Sequence, residues 1–357
     1  MSNIKNSQAV EAAEVQASYE EDLLAGAAVL DKKEIIQANF RNFFNFKTNE
    51  KLGALLGLFV LMIVSSILSP HFLSFNNLFN ILRQYTVLGL MVIGMCTVIL
   101  TGSVDLSAGS TLAFCGIIIG LLKDQPFIVI FLSTVATGLL IGFINGYLIA
   151  VKKMENYIAT LGMQIVLRGL CLWITHSSYI ADINSFGWLA NTTFVLRPWL
   201  RIPLPVIILV LMYIIIHIIY TKTVFGKNLY AIGGNPIAAK LSGVKTEKMK
   251  ISAFMIAGLM CAFAALVNVS RLSTAEPLAG VGFEADAVAA SLVGGASLAG
   301  GRGSISGAFI GLCVFGSLYN IMNLLGVQSA AQQVAKGIII IGAVLMRLSV
   351  QGTESKN

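Results

Sequence analysis

Ten stretches of this chain approach the roughly 20 apolar residues that a helix needs to cross the hydrocarbon layer of a membrane. No other feature limits the possible folds as much. The segments run near 52–69, 80–101, 107–122, 127–151, 158–175, 203–220, 251–270, 285–300, 304–325 and 333–348. With 56% hydrophobic and 11% charged residues, and a mean hydropathy of +0.82, the composition lies outside the range of a soluble domain. The expected fold is all-α, a polytopic integral membrane helical bundle of about ten transmembrane helices. The third and eighth segments are short and interrupted by glycine, which leaves open a broken or re-entrant helix at each.

Between the sixth and seventh segments lies a basic, water-compatible loop, Thr221 to Lys250, with six lysines against the single acid Glu247. Its centre has the marks of a short helix. After the Gly233-Gly234 break, Asn235 is placed to cap, Pro236 occupies the first helical position, Ala238 and Ala239 lie inside, and Ser242-Gly243 follow the end. On the lysines alone the loop reads as a connector that sets topology. The capped helix with a small apolar face favours a surface for a partner protein. The net charge of +7 raises the possibility of nucleic acid, but the basic residues sit in short loops beside apolar spans, which the membrane explains better.

With an even number of spans both chain ends share a side. The central loop, the tails and the other loops on their side, with Lys152, Lys153 and Arg302, hold 17 of the lysines and arginines. The opposite side holds only six: Arg83, Lys123, Arg197, Arg201, Arg271 and Lys336. The positive-inside bias therefore puts the loop and both ends in the cytoplasm. Residues 1–50 read as a charged cytoplasmic tail that is helix-permissive and lacks the basic start and apolar core of a signal peptide. Residues 51–348 form the membrane domain, and 349–357 a short cytoplasmic tail.

Glycines recur at helical spacing within the spans (Gly116/Gly120, Gly138/Gly142/Gly146, Gly303/Gly307/Gly311), a pattern that brings helices into close contact in lipid. The glycine-rich run Gly294 to Gly303 lacks the order of a phosphate-binding loop. The five cysteines lie inside apolar segments without metal or disulfide spacing and read as packing residues. The most polar stretch within the bundle is Leu100 to Ser110. A carboxylate there, Asp105, costs roughly 2.5–3.5 kcal/mol at mid-bilayer and should face a cavity, a partner or an interface. Asp105 and Ser107 read equally as caps of the next helix and, with Ser110, as part of a translocation pathway. Asn145, Gln164 and Arg168 are further pathway candidates, Arg168 at a pore-facing or carbonyl-paired position. Asn145, Asn268, Asn320 and Asn323 are expected to form interhelical hydrogen bonds. In the long outer loop 176–203, Trp188 and Trp199 read as interfacial belt residues.

The stretch GGNPIAAKLSGV resembles the cytoplasmic coupling loop of sugar-type ABC importer permeases, the ribose-type group in particular. SPHFLSFNNLFNIL (69–82), VILTGSVDLSAGS after it, the 271–304 run and NLLGVQSAAQQVAKG (323–337) are similar to the same family, in order, over about residues 50–348. Two departures are Gly-Ser-Val at 102–104, where the family usually has Ser-Gly-Ile, and Ala285 in place of Leu. The resemblance implies an inner-membrane permease for a monosaccharide, with ribose the nearest choice. It implies two permease copies with two ATP-binding subunits and a periplasmic sugar-binding protein, the 221–250 loop seated in a cleft of the ATPase. ATP and Mg would be bound by that partner and no cofactor by this chain. Glu276, Glu284 and Asp286 become candidates for docking the binding protein through charged pairs. An ion-coupled sugar carrier using Asp105 remains the alternative. An enzyme is disfavoured because neither an H-E-x-x-H nor a G-x-S-x-G motif occurs. In a version lacking the native cysteines, a single cysteine at Asn228 should resist an impermeant thiol reagent applied outside intact cells while one at Ser185 reacts; the opposite pattern would invert the topology.

Overall fold

The computed structural model describes residues 50–197 and 200–354. The N-terminal tail with its helix-permissive stretch, Trp199 and the last three residues lie outside them. The compact bundle begins at Gly53.

Every one of the ten apolar segments carries a helix. In chain order these are α1 (Glu50–Leu68), α2 (Phe75–Gln84) and α3 (Thr86–Leu100), α4 (Ala108–Leu121), α5 (Phe127–Ala150) and α6 (Asn156–Ile174). After the short outer helix α7 (Trp188–Asn191) come α8 (Leu204–Lys222), the two coupling-loop helices α9 (Val224–Gly234) and α10 (Pro236–Leu241), and α11 (Thr246–Leu272). The chain continues through α12 (Phe283–Val293), α13 (Ile305–Leu324) and α14 (Ser329–Glu354).

Among the described residues, five helices (α5, α6, α8, α11 and α13) are long and apolar enough to cross a membrane alone. The second segment is a bent pair, α2 and α3 meeting at 55° around Tyr85. The two glycine-interrupted segments are the short ones. Helix α4 has 14 residues and α12 has 11, and irregular stretches, 101–107 before α4 and 294–304 after α12, supply the remaining length. Irregular backbone at such depth is tolerated only where protein surrounds it, and Ser103, Asp105, Ser107, Ala296 and Ser297 are all buried.

The loop between α6 and α8 departs from an all-helical plan. Thr193–Arg197 (β1) and Leu200–Pro203 (β2) pair antiparallel, Thr193 opposite Pro203 and Val195 opposite Arg201. The Thr-Phe-Val and Leu-Arg-Ile alternation suits a half-buried strand, and Pro205 then sits in the first turn of α8.

Helix α11 is the axis of the bundle, packed by α5 on one side and by α3 and α4 on others. The glycines decide how close these helices come. A methyl on Gly142 would run into the backbone of Phe254 and Met255, one on Gly138 into Gly258, and one on Gly146 into Ile251 Cα at 2.7 Å. From α3, a methyl on Gly94 would meet Ala257 Cα at 2.8 Å. The same device joins α12 to α13, where Gly307 abuts Gly294 and Gly311 abuts Ala290. Of the three glycine series, two therefore form close helix contacts. In the third, Gly116 makes ordinary contact with Val269.

Overfilling a packed interior costs roughly 1–3 kcal/mol, and backbone leaves less room to yield than a side chain. Gly142→Val is expected to lower the thermal stability of the purified protein by at least that amount. Gly162→Ala, at a position with nothing within 4 Å of the added methyl, is expected to leave it unchanged. Equal melting of the two variants would remove the seam as the source of stability.

Candidate functional site

The coupling loop is built from two helices that differ in what they face. Asn235 caps α10 as its residue type suggests, Oδ1 accepting from the N–H groups of Ile237 and Ala238, each at 3.0 Å. Pro236 occupies the first turn, where its missing N–H is no loss. The faces are distributed differently from the sequence expectation. Ala238 is exposed, but Ala239 is only 5% exposed and packs into the bundle, because the short helix lies against its own chain. The apolar groups offered outward are Ile237 and Leu241, 75% and 85% exposed. Ser242 and Gly243 are exposed beyond them.

Gly233 and Gly234 end α9 rather than forming a break between helices. Gly233 is buried, and a methyl there would collide with Leu100 O and with the backbone of Gly301. Gly301 N donates to Leu100 O at 3.0 Å, and Gly300 and Gly301 both have left-handed backbones (φ 86° and 68°) that favour glycine. Tyr230, one turn earlier on α9, donates its hydroxyl to Gly303 O at 3.0 Å. Burial, with a smaller contribution from Cys96, pushes this phenol up to about 12, so it remains a donor. The coupling helices thus bear directly on both irregular stretches, 294–304 and the one that begins at Thr101.

The second stretch holds the polar cluster. Asp105 Oδ1 accepts from Ser107 N at 2.9 Å and from Ser107 Oγ at 2.6 Å. Asn145 Nδ2 on α5 donates to Ser107 Oγ at 2.8 Å, and Ser110 Oγ donates to Ser107 O at 3.0 Å. Asp105, Ser107, Ser110 and Asn145 therefore form one buried hydrogen-bonded chain. Ser107 does not cap α4 with its side chain; its hydroxyl is committed to Asp105. Arg168 stands apart and is carbonyl-paired, donating to Pro277 O at 2.6 Å and Ala279 O at 3.0 Å. Gln164, one turn before it, is half-buried and outside the Asp105 chain. Three of the four asparagines bond between elements: Asn145 as above, Asn320 in a reciprocal pair with Asn77, and Asn323 with Gln332.

The acidic docking candidates do not form an outward cluster. Glu276 is exposed, but Asp286 is buried and paired with Lys336. Glu284 is half-buried, its Oε2 without a partner and packed against Gly109. Gly282 takes a left-handed turn into α12 (φ 84°), and the first turn of that helix faces the bundle.

Sequence reasoning missed a cavity of about 530 Å³ beside Asp286. It is lined by Tyr85, Tyr319, Arg271, Lys336, Gln332 and Gln333 among others. Lys336 had been counted only as an outer charge. Its position seven residues into α14, too deep for a loop, was the available signal.

A multi-pass bundle with two broken spans, and with exposed helices wired to the breaks, defines the membrane component of a transport system. Residues 77–344 match the family described as "Branched-chain amino acid transport system / permease component", and the chain belongs to that family. It is 42% identical over 319 residues to the ribose import permease protein RbsC of Bacillus subtilis (strain 168), covering 88% of this chain and 98% of that one. To RbsC of Escherichia coli (strain K12) it is 40% identical, covering 86% and 96%. To the xylose transport system permease protein XylH of Haemophilus influenzae (strain ATCC 51907 / DSM 11121 / KW20 / Rd) it is 33% identical, covering 76% and 89%. No solved structure matches it significantly. The chain is a permease subunit of the ABC importer class. The ion-coupled carrier reading is set aside.

Leaving the two Ser107 donors without their buried acceptor costs about 1–3 kcal/mol for each group left unpaired. Asp105→Ala is expected to destabilise the purified permease by roughly 2 kcal/mol or more. Asp105→Asn keeps an acceptor in place and should retain most of the stability. Parent-like melting of Asp105→Ala would show that the carboxylate does not organise the turn.

Proposed function

We propose that this chain is the membrane-spanning subunit of an ATP-driven importer for a monosaccharide, ribose or a similar pentose. The sugar would come from a binding protein on the outer face. Two copies of the chain, set in lipid of the bacterial inner membrane with both termini cytoplasmic, would work with ATP-binding subunits that hold the ATP and Mg. The observation that carries this reading is the capped helix α10. It presents Ile237 and Leu241 outward while Gly233 beside it rests on Gly301 and Leu100. The substrate class rests on the ribose and xylose permeases to which the chain is similar.

In this mechanism the ATP-binding subunits grip α10 and move it when they close. Motion of α9 is passed through backbone contact at Gly233 to Gly301 and to the end of α3, and from there to the loop held by Asp105. The two broken spans then change register against the rigid α5–α11 pair, opening the bundle to one side and closing it to the other. Glu276 is the remaining acidic contact for the binding protein, since Glu284 and Asp286 are turned inward. A neutral sugar needs hydroxyl-compatible walls rather than a fixed counter-charge.

Burying an Ile or Leu side chain contributes about 1.5–3 kcal/mol, so losing two contacts should weaken a complex by about a hundredfold or more. Ile237→Glu with Leu241→Glu is expected to abolish copurification of the ATP-binding subunit and ATP-driven ribose uptake, with insertion of the permease unchanged. Ala239→Glu should instead damage folding, because its site is internal. Proteoliposomes holding the chain alone should accumulate nothing, and ribose should enter only once ATP, the ATP-binding subunit and the binding protein are present. Normal coupling in the double variant, or uptake of leucine in place of ribose, would overturn the corresponding part of the proposal.

A further inference from the structure

Helix α11 has 27 residues and spans about 40 Å, with the coupling helices at its N-terminal end and Arg271 at the other. The 530 Å³ cavity lies at that far end and draws its walls from six helices and the bend between two of them. Tyr85 comes from the bend between α2 and α3, Arg271 from α11, Asp286 from α12, Tyr319 from α13, and Lys336 from α14. Its size falls in the range of small-molecule sites, ample for a single sugar ring with some of its water.

The lining is divided in a way that suits one kind of ligand. Tyr85 and Tyr319 stack with centroids 6.2 Å apart and planes 26° from parallel, giving the cavity an aromatic wall. Around it stand Gln333 and three charged groups. Asp286 and Lys336 already hold each other, so neither requires a counter-ion from the ligand. Arg271 donates Nη1 to Gln84 O at 3.3 Å, but its Nε is buried without a partner. Hydrogen bonds to charged groups are the stronger ones, and a hydroxyl answers both signs because it donates and accepts. An anion would compete with Asp286 for Lys336, and a cation would meet two fixed positive charges.

We propose that this cavity is a saccharide-binding waypoint in which a neutral polyhydroxy ring lies on the Tyr85–Tyr319 wall and exchanges hydrogen bonds with Arg271, Asp286 and Lys336. The assignment rests on the reading of the chain as a sugar importer and adds to it a place where the sugar is held. Because Tyr85 is the bend residue, occupancy of the cavity bears on the same broken span that the coupling helices touch from the opposite end.

Two measurements on the permease with its partners test it. In a version lacking the native cysteines, saturating ribose should protect Gln333→Cys from a thiol reagent and leave Asn80→Cys, in the groove beside the β-hairpin, unprotected. In ribose uptake, Tyr319→Ala should raise KM by about tenfold, the scale of one aromatic contact. It should keep kcat and ATPase copurification, and Tyr319→Phe should restore KM. Protection in a complex that takes up no ribose would sustain the cavity and remove the transport reading. Ribose uptake without protection and with parent KM in Tyr319→Ala would remove the cavity and leave the transport reading intact. Protection by ribose 5-phosphate but not by ribose would overturn the neutral ligand.

Discussion

The bundle depends on backbone meeting backbone along α11. Lipid supplies little hydrophobic drive between helices, so association rests on packing and interhelical hydrogen bonds. Gly138, Gly142 and Gly146 of α5 leave no side chain between that helix and the backbone at Gly258, Phe254 and Ile251, and Gly94 of α3 approaches Ala257 as closely. With α3 buried along its whole length, these contacts make a rigid centre against which shorter elements can be broken without loss of the fold.

The breaks are where buried polar groups concentrate. An irregular stretch inside a membrane protein must find partners for its polar groups within the protein. The 101–107 stretch does so through Asp105, Ser107 and Asn145, and the 294–304 stretch through the Leu100 carbonyl and the Tyr230 hydroxyl. Both converge on the end of α9. The end of α9 therefore lies against backbone next to the polar turn, although more than 100 residues separate Asp105 from Asn235 in the chain. The buried pair Asp286–Lys336 plays the corresponding part at the far end, joining α12 to α14. Removing one member of such a pair leaves the other buried and uncompensated.

Much of this was legible in the residues. Hydrophobic length located a helix in each of the ten apolar segments, because a lipid-exposed segment has almost no other way to satisfy its backbone, while α7 and α9 carried no such signal. Cap chemistry located α10, because the orphan N–H groups of a helix start require an acceptor such as Asn235. The glycine series at 138–146 and 307–311 announced close packing because no other residue permits it. The cost of a bare cation at that depth limited Arg168 to a pore-facing or carbonyl-paired position, and the structure chose the second.

What the sequence could not determine is which side each group faces, since a six-residue helix or a single helical turn offers no periodicity from which to choose. Ala239 lies inward and Ile237 outward only because α10 rests on α11 and the bundle. Glu284 and Asp286 look alike in the sequence, yet one packs against Gly109 and the other pairs with Lys336, and neither presents a docking surface. The cavity between Tyr85, Arg271, Asp286, Tyr319 and Lys336 draws on residues spread over some 250 positions. In the sequence Arg271 and Lys336 read only as loop charges and Asp286 as a docking candidate, and nothing singled out Tyr85 or Tyr319. The length and polarity of the segments, local and additive, were determined by the sequence. The facing of the charged groups and the existence of the cavity were decided by tertiary packing, because both depend on which helices the glycine contacts bring together.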